Sequence, residues 1–493
     1  MGCVQIMKIL IVIANHGTKN RNYLDRLLQA YRAMPFDVHL VVLSDQPKDL
    51  GSDAEVRVGA PTPDPWSLPF AHKQIFADRI NEFDLFIYSE DDVLITEHNV
   101  KAFVEVTENL RDDEIVGFLR SEEGPDGTLY CPEAHGQFHW VPGSLRRRGH
   151  NALAVFTSEH SACYILTRRQ LQKAIDSGGY LVPPHSERYD LLVTAATDPY
   201  VQCGLTKLIC LDRFDDFILP HLPNRYVGQL GMEWREMHLQ VDRMLELENS
   251  ATAPSTLAPS ENELPTALWV KNYYEPVRKD MLSLLPEGAR EILSIGCDSG
   301  ETERHLIEHG CRVTAIPVDP VIAAVAQSKG VNTVDGGLDV AKRELINRRF
   351  DAVLCAGVLH LSSDPVGLLK FASSILKQGG TIIVSVPNLN FYRTLIPRMR
   401  RTDGYRDVGN FDVSRVQTVT RRRLERWFKR AGLRSDQIIA EVMPNRRKLG
   451  RFMGRIATEL FALDIVASAL PIRSTSDVSS SSVSEEVSCQ LPM

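Results

Sequence analysis

Hydrophobic and polar positions along the first part of the chain follow the patterns of an α/β protein. The apolar runs KILIVIA (8–14), VHLVVLS (38–44) and LFIYS (85–89) predict buried strands. Between the first two, apolar residues recur at helical spacing in YLDRLLQAYRAM (23–34), which predicts an amphipathic helix. Because a strand, a helix and a strand in close succession form a βαβ unit, we expect a parallel sheet here.

A second alternation of strands and helices fills the C-terminal part of the chain. Helical patterns separate five strand-like runs, which predicts an open, doubly wound sheet. The five runs are EILSIG (291–296), RVTAIPV (312–318), VNTVDG (331–336), DAVLCAGV (351–358) and TIIVSVP (381–387).

The segment LENSATAPSTLAPSENELPT is rich in Pro, Ser, Thr and Ala and has no hydrophobic period, so we interpret it as an interdomain linker. The fold class that follows is α/β, with two Rossmann-like domains. The predicted divisions are an N-terminal domain (7–246), a linker (247–266), a C-terminal domain (267–445), a terminal helical segment (446–472) and a disordered, Ser-rich tail (473–493).

The terminal segment RRKLGRFMGRIATELFALDIVASAL (446–470) places arginines ahead of an apolar stripe. The pattern favours a helix, and it leaves two interpretations open. One is a helix that packs on the C-terminal domain, and the other is a peripheral contact with a membrane surface.

Composition narrows the classes of partner. The 493 residues carry a formal net charge of −7, which argues against a nucleic-acid binder that depends on a basic surface. Nine widely spaced cysteines without a CxxC motif argue against a zinc ribbon or a disulfide framework. They fit a reducing compartment, so we expect a cytoplasmic location. No apolar window of about 18 residues occurs, so no membrane span is predicted.

Three consecutive carboxylates, Glu90, Asp91 and Asp92, follow the strand LFIYS. Adjacent like charges cost free energy unless water or a cation separates them. Ligands of open parallel sheets bind at the carboxyl ends of strands, and oxygen-rich clusters suit Mg²⁺ or Mn²⁺. The two interpretations are therefore a solvated acidic turn and a divalent metal site.

The helix PFAHKQIFADRINE and the strand FDLFIYSEDDVLI resemble the core of nucleotide-sugar-dependent glycosyltransferases of the GT-A fold, whose short acidic motif ends a strand in the same way. The resemblance implies a mixed sheet and a divalent metal, Mn²⁺ or Mg²⁺, on the diphosphate of a nucleotide sugar. Asp91 and Asp92 become the candidate metal ligands, with Asp92 the more direct one. The family often returns a late histidine to the metal, and His221 in FILPHLPNRY would take that place.

The same resemblance leaves retaining and inverting chemistry open. In the inverting case a carboxylate deprotonates the acceptor hydroxyl. The segment PPHSERYDLLVTAATDPY offers Glu187 and Asp190 for that role. Helix capping or an ordinary surface position is the alternative for both.

The stretch ILSIGCDSGETERHL (292–306) predicts a strand, a tight loop and a helix, which brings backbone close to a ligand at a helix N-terminus. Together with residues 349–388 and 409–433, it resembles the class I S-adenosylmethionine-dependent methyltransferases. The resemblance assigns cofactor contacts to Gly296, Asp298 and Gly300 along the methionine part, to Asp335 and Gly336 at the adenine, and to Cys355 on the cofactor and substrate side.

Two positions depart from that family. The acidic residue expected at the end of the second strand aligns with Pro317, so Asp319 is the candidate to contact the ribose. The segment SRVQTVT lacks the histidine that often opens it. His360, directly after the fourth strand, is the candidate base for a hydroxyl acceptor, with local hydrogen bonding as the alternative.

These assignments predict a bifunctional transferase of polysaccharide biosynthesis. Its partners would be a nucleotide sugar and a glycan acceptor, and its cofactors S-adenosylmethionine and a divalent metal. The alternative is a methyltransferase whose N-terminal domain is a non-catalytic glycan-binding or scaffold module.

Overall fold

The computed structural model describes residues 6–186, 189–249, 255–257, 270–400, 411–442 and 459–472. The chain divides into two compact units. The first comprises residues 1–276, 298–304 and 317–337, and the second comprises residues 277–297, 305–316 and 338–493.

Thirteen strands lie in the N-terminal part of the chain. They are β1 (Lys8–Asn15), β2 (Asp37–Ser44), β3 (Ala54–Val58), β4 (Leu85–Glu90), β5 (Glu114–Val116), β6 (Leu119–Glu123), β7 (Leu129–Cys131), β8 (Arg146–Arg148), β9 (Asn151–Ala154), β10 (Cys163–Thr167), β11 (Thr206–Cys210), β12 (Ile218–Pro220) and β13 (Met232–Glu233). The helices among them are α1 (Arg21–Arg32), α2 (Ala71–Asp78), α3 (Glu97–Thr107), α4 (Arg168–Asp176), α5 (Leu191–Val201) and α6 (Trp234–Glu248), with 3₁₀ turns at Pro65–Phe70, Pro142–Ser144 and Phe214–Phe217.

The principal sheet of the first unit has the strand order β10-β4-β1-β2-β3. Strand β1 is buried at every position except Lys8, because parallel neighbours flank it and both its faces are covered. Strand β10 runs antiparallel to β4, so the sheet is mixed. The chain winds outward from β1 to β3 and returns on the other side at β4. The carboxyl ends of β1 and β4 therefore meet at a topological switch point, where α/β sheets bind ligands.

Seven strands build the C-terminal sheet. They are β14 (Glu291–Cys297), β15 (Arg312–Pro317), β16 (Asn332–Thr333), β17 (Phe350–Ala356), β18 (Leu376–Pro387), β19 (Leu433–Val442) and β20 (Ala462–Pro471). The helices are α7 (Lys279–Leu282), α8 (Glu301–Glu308), α9 (Pro320–Ser328), α10 (Gly337–Leu345), α11 (Pro365–Ser374), α12 (Tyr392–Met399), α13 (Phe411–Ser414) and α14 (Arg421–Arg430), with a 3₁₀ turn at Leu359–Leu361.

The strand order of this sheet is β16-β15-β14-β17-β18-β20-β19. The chain starts at the central strand β14, adds β15 and β16 on one side, and then adds β17 and β18 in parallel on the other. This is the doubly wound arrangement that the alternating pattern predicts. Strand β20 runs antiparallel to both of its neighbours.

Where the structure describes the terminal segment, only residues 459–461 are helical, and for the residues that follow them the prediction of a helix is wrong. Residues 462–471 form β20, which lies between β18 and β19 and buries Ile465, Val466 and Ala467. Short apolar runs fit a buried strand as well as a helix, so periodicity alone does not separate them. Because β20 is an interior strand, its apolar side chains are not available to a membrane surface. Residues 446–458 and the tail 473–493 lie outside the described residues.

A search of the described residues for membrane-crossing helices gives a negative result, because none is both long enough and apolar enough.

Candidate functional sites

A cavity of about 310 Å³ opens at the switch point of the first unit. Residues from the carboxyl ends of β1 and β4 line this cavity, together with side chains from three loops and one helix. Six of them carry its chemistry: Asn20, Trp66, Glu90, Asp91, Asp92 and Arg225. The acidic triplet therefore faces a cavity and is not a solvated turn.

Asp91 is held by amides from the loop that follows β1. Its Oδ1 accepts a hydrogen bond from Asn20 Nδ2 at 2.8 Å, and its Oδ2 accepts one from Asn15 Nδ2. Burial raises the pKa of Asp91 to about 6, against the effect of these two hydrogen bonds. Burial, followed by the charge of Asp92, raises the pKa of Glu90 to about 8. The positive charges of Arg120 and Lys48 oppose the rise in pKa at Glu90 and Asp91, respectively.

His221 lies beside Asp92, as the resemblance implies. A β-bridge pairs Val93 with His221, and Leu222 N donates to Asp92 O at 2.9 Å. These backbone contacts place His221 Nε2 at 3.6 Å from Asp92 Oδ2. The other ring nitrogen, Nδ1, lies 2.5 Å from Glu122 Oε1.

The donor set of this cluster fits a small divalent cation. Glu90 Oε1 and Asp92 Oδ1 are buried and have no hydrogen-bond partner among the described residues. Buried carboxylate oxygens without a donor are costly unless a cation or water satisfies them. Among the described residues, no group of three or more His, Cys, Asp or Glu side chains could by itself hold a metal ion. The remaining ligands would be substrate phosphates and water, as is usual for Mg²⁺.

The candidate bases differ in their positions. Glu187 lies outside the described residues. Asp190 is exposed and caps α5, where Val193 N donates to its Oδ1 at 3.0 Å. Its charge also contributes to the raised pKa of Glu90, which places it on the side of the acidic cluster.

Sequence reasoning did not identify two cavity residues, Trp66 and Arg225, or Asn15, which contacts Asp91. Trp66 is 54% exposed and presents a large apolar ring to the cavity. Arg225 adds a cation at the same opening, and Asn15 holds Asp91. Of these residues, only Arg225 could have been proposed from the sequence, because it lies four residues after His221 in the same loop.

The glycine loop of the C-terminal sheet connects β14 to α8. Gly296 and Gly300 both have left-handed backbone, with φ of +86° and +85°. A Cβ atom at Gly296 would lie 2.1 Å from Val358 Cγ1, and one at Gly300 would lie 3.0 Å from Ala326 Cα. Both positions therefore require glycine, and the loop is as tight as a cofactor approach at a helix N-terminus requires.

Asp298 is buried between these glycines and pairs with a lysine. Lys271 Nζ lies 3.2 Å from Asp298 Oδ2, and Lys271 is 1% exposed. Burial raises the pKa of Asp298 to about 7, although the charge of Lys271 opposes this. Glu275 and Glu303 add further negative charge, and Lys329 Nζ donates to Ser299 O at 2.9 Å on the same loop. A ligand that carries positive charge suits this environment better than an anion.

Asp319 has a structural role in this conformation. Its Oδ1 accepts from Val321 N and Ile322 N, at 2.8 and 3.0 Å, and so caps α9. A side-chain hydrogen bond from Tyr273 also reaches the carboxylate. Next to it, Val318 O accepts from Leu257 N at 2.8 Å. The ribose contact that the resemblance assigns to Asp319 stays a prediction.

The other candidate cofactor positions follow two strand ends. Asp335 accepts a hydrogen bond from Thr333 Oγ1 at 3.1 Å, and Gly336 has a left-handed φ of +99°. Cys355 is buried in β17, and burial raises its pKa to about 12, so it is a neutral thiol that lines the core. His360 is 2% exposed in the 3₁₀ turn after β17, where its backbone oxygen accepts from Gln417 N.

Comparison with known families identifies this part of the chain. Residues 269–438 match the family model described as a methyltransferase domain. An O-methyltransferase of ubiquinone biosynthesis from Xanthomonas axonopodis pv. citri is 26% identical over 209 residues, which cover 38% of this chain and 81% of that protein. One from Xanthomonas campestris pv. campestris is 32% identical over 123 residues, which cover 23% of this chain and 50% of that protein.

Solved structures give a weaker comparison. A S-adenosylmethionine-dependent methyltransferase from Mesorhizobium loti matches 39% of this chain and 95% of its own, at 18% identity and a TM-score of 0.29. Magnesium protoporphyrin IX methyltransferase from Synechocystis PCC 6803 covers 38% and 77%, at 14% identity and a TM-score of 0.28. Scores this low do not support a detailed comparison.

The C-terminal part of the chain is therefore a class I S-adenosylmethionine-dependent methyltransferase domain, with a Rossmann-like doubly wound sheet. The similarity of this domain to methyltransferases supports S-adenosylmethionine as its cofactor.

Proposed function

We propose that the chain is a bifunctional glycan-modifying enzyme. Its N-terminal domain transfers a sugar from a nucleotide sugar with Mn²⁺ or Mg²⁺, and its C-terminal domain methylates a glycan or a related small acceptor. One observation carries the first half of the proposal. The acidic triplet faces a cavity at a switch point, and His221 lies against Asp92 there.

In the sugar-transfer half, a divalent cation would be held by Asp92 and His221 and would offset the negative charge of the leaving diphosphate. Asp91, fixed by Asn15 and Asn20, shapes the cavity edge. Arg225 supplies a second positive charge for the phosphates, and Trp66 offers a ring face for the base or the sugar. In an inverting reaction, Asp190 would receive the proton of the acceptor hydroxyl, with Glu187 as the other candidate.

In the methylation half, the cofactor supplies an activated methyl group on a sulfonium, so the protein contributes mainly by positioning. The loop from Gly296 to Gly300 holds the methionine part, and the acidic surroundings of Asp298 suit its positive charge. Asp335 and Gly336 lie after β16, toward the adenine. The names of the relatives favour an oxygen acceptor, for which His360 is the candidate base.

The sugar-transfer proposal is tested with the full chain, Mn²⁺ and a panel of UDP- and GDP-sugars, measuring release of the nucleoside diphosphate. We expect release with at least one donor and a loss of about 100-fold or more in Asp92→Asn, because the metal loses its charged ligand. Methyl transfer to a defined O-methyltransferase acceptor is the folding control in the same variant. Equal release of the nucleoside diphosphate by the wild type and by Asp92→Asn would contradict the proposed metal site.

The second candidate is a methyltransferase with a non-catalytic N-terminal domain that binds a glycan. We place the chain in the cytoplasm, since the seven cysteines that the structure describes are all free.

A further inference from the structure

We infer that Glu122 is a positioning residue for His221, which it fixes with the Nε2 lone pair directed at the cation site beside Asp92. This inference rests on the proposed metal site and adds a residue that the sequence did not indicate. Glu122 lies on β6, and its side chain is fully covered, with the residue 1% exposed.

The Glu122 carboxylate is held from three directions. Its Oε1 accepts from His221 Nδ1 at 2.5 Å and from Arg225 N at 3.1 Å. Its Oε2 accepts from Tyr226 N at 2.7 Å. The two backbone donors fix the Glu122 carboxylate independently of the imidazole. The carboxylate in turn fixes the orientation of the His221 ring.

His221, which directly follows β12, is also held by its neighbours. Its backbone N donates to Ser121 O at 2.8 Å, next to Glu122 along β6. The Tyr226 ring stacks on the imidazole with a centroid separation of 5.9 Å and an interplanar angle of 12°. With 4% exposure, His221 has no room to rotate away from Asp92.

The chemistry of the two ring nitrogens follows from these contacts. Both Glu122 oxygens already accept backbone hydrogen bonds, so the contact with His221 requires a proton on Nδ1. In the neutral ring the lone pair then lies on Nε2, which faces Asp92 Oδ2 at 3.6 Å. Two acceptors that face each other repel unless a proton or a metal cation lies between them. Asp92 Oδ1, which is buried and has no hydrogen-bond partner in the described part of the chain, is the second observation that points to a cation there.

A carboxylate behind a metal-bound histidine is a recurring arrangement, and its loss typically weakens metal binding about 10- to 100-fold. Glu122→Gln keeps the shape of the side chain and removes its charge. We expect this variant of the full chain to bind Mn²⁺, measured by electron paramagnetic resonance with UDP or GDP present, about 10- to 100-fold more weakly than the wild type. Glu123→Gln, on the same strand but exposed, is the matched control and should bind Mn²⁺ as the wild type does.

The outcomes separate this inference from the proposed function. If the wild type binds no Mn²⁺ with either nucleotide, the proposed metal site fails. If the wild type binds Mn²⁺ and Glu122→Gln binds it equally well, only the role of Glu122 fails.

A second measurement does not depend on the folding of a variant. We expect ¹⁵N resonances of His221 in the wild type to show a proton on Nδ1 and a shift of Nε2 when Cd²⁺ is added. A doubly protonated ring that Cd²⁺ leaves unchanged would mean that His221 forms an ion pair with Asp92, and the inference would be overturned.

Discussion

Asp319 illustrates how a buried carboxylate changes the stability of the protein with pH. It caps α9 with two backbone donors and accepts from Tyr273, yet burial still raises its pKa to about 6. The folded protein therefore holds this proton more tightly than the unfolded chain, in which the ordinary value of 3.8 applies. The stability from this group is complete below pH 4 and is lost as the pH rises through about 6.

Asp319→Asn should remove this dependence, because an asparagine caps the helix without ionising. Relative to the wild type, we expect the variant to gain about 2–3 kcal/mol in free energy of unfolding between pH 4 and pH 8, from a shift of about two pKa units. Urea unfolding at a series of pH values measures this. Asp339→Asn, at an exposed position on α10, is the control and should show no gain. A gain equal in both variants would assign the effect to net charge.

At the scale of elements, the strand-to-helix turn at Gly296 joins β14 to α8. The backbone of Gly296 is left-handed, and Val358 Cγ1 would lie 2.1 Å from an added Cβ. A side chain here must therefore move either the glycine loop or the turn after β17. Both segments belong to the candidate methyltransferase site, so the packing of this element also shapes the site.

Gly296→Ala should destabilise the protein by about 2–4 kcal/mol, from backbone strain together with overpacking. Gly379→Ala is the matched control. Its φ of +81° is equally left-handed, but no atom lies within 4 Å of the added Cβ, so only the smaller strain cost of about 1–2 kcal/mol remains. Urea unfolding of both variants at one pH tests this. If Gly296→Ala and Gly379→Ala lose the same free energy of unfolding, the protein accommodates the close approach of Val358 without an energetic cost.

The elements also show what the sequence could predict. Strands such as β1, β4 and β14 are continuous apolar runs that end at polar loops, so their positions and the doubly wound C-terminal order follow from the pattern. Strand β20 has the same kind of apolar run, but its antiparallel partners β18 and β19 decide its state, and the sequence alone does not contain that pairing.

At the scale of the whole molecule, the candidate sites also contain some residues that the sequence could predict and others that it could not. The acidic triplet and His221 were predicted near one another from a family resemblance, and the structure places them 3.6 Å apart at Asp92. Glu122 and Trp66 could not be predicted, because each reaches its site through contacts between residues distant in sequence. Asp298 was assigned to the cofactor, but its buried partner Lys271 depends on the path of the chain before β14.

The central claim is that one chain carries a metal–nucleotide site in addition to its methyltransferase domain. The most direct test is a titration of Mn²⁺ into the full-length protein in the presence of UDP or GDP, comparing the wild type with Asp92→Asn. Binding of S-adenosylhomocysteine confirms that each protein is folded. The account predicts nucleotide-dependent Mn²⁺ binding in the wild type and a loss of about 100-fold or more in the variant, with unchanged binding of S-adenosylhomocysteine. A wild-type protein that binds S-adenosylhomocysteine but binds no Mn²⁺ with either nucleotide would contradict it.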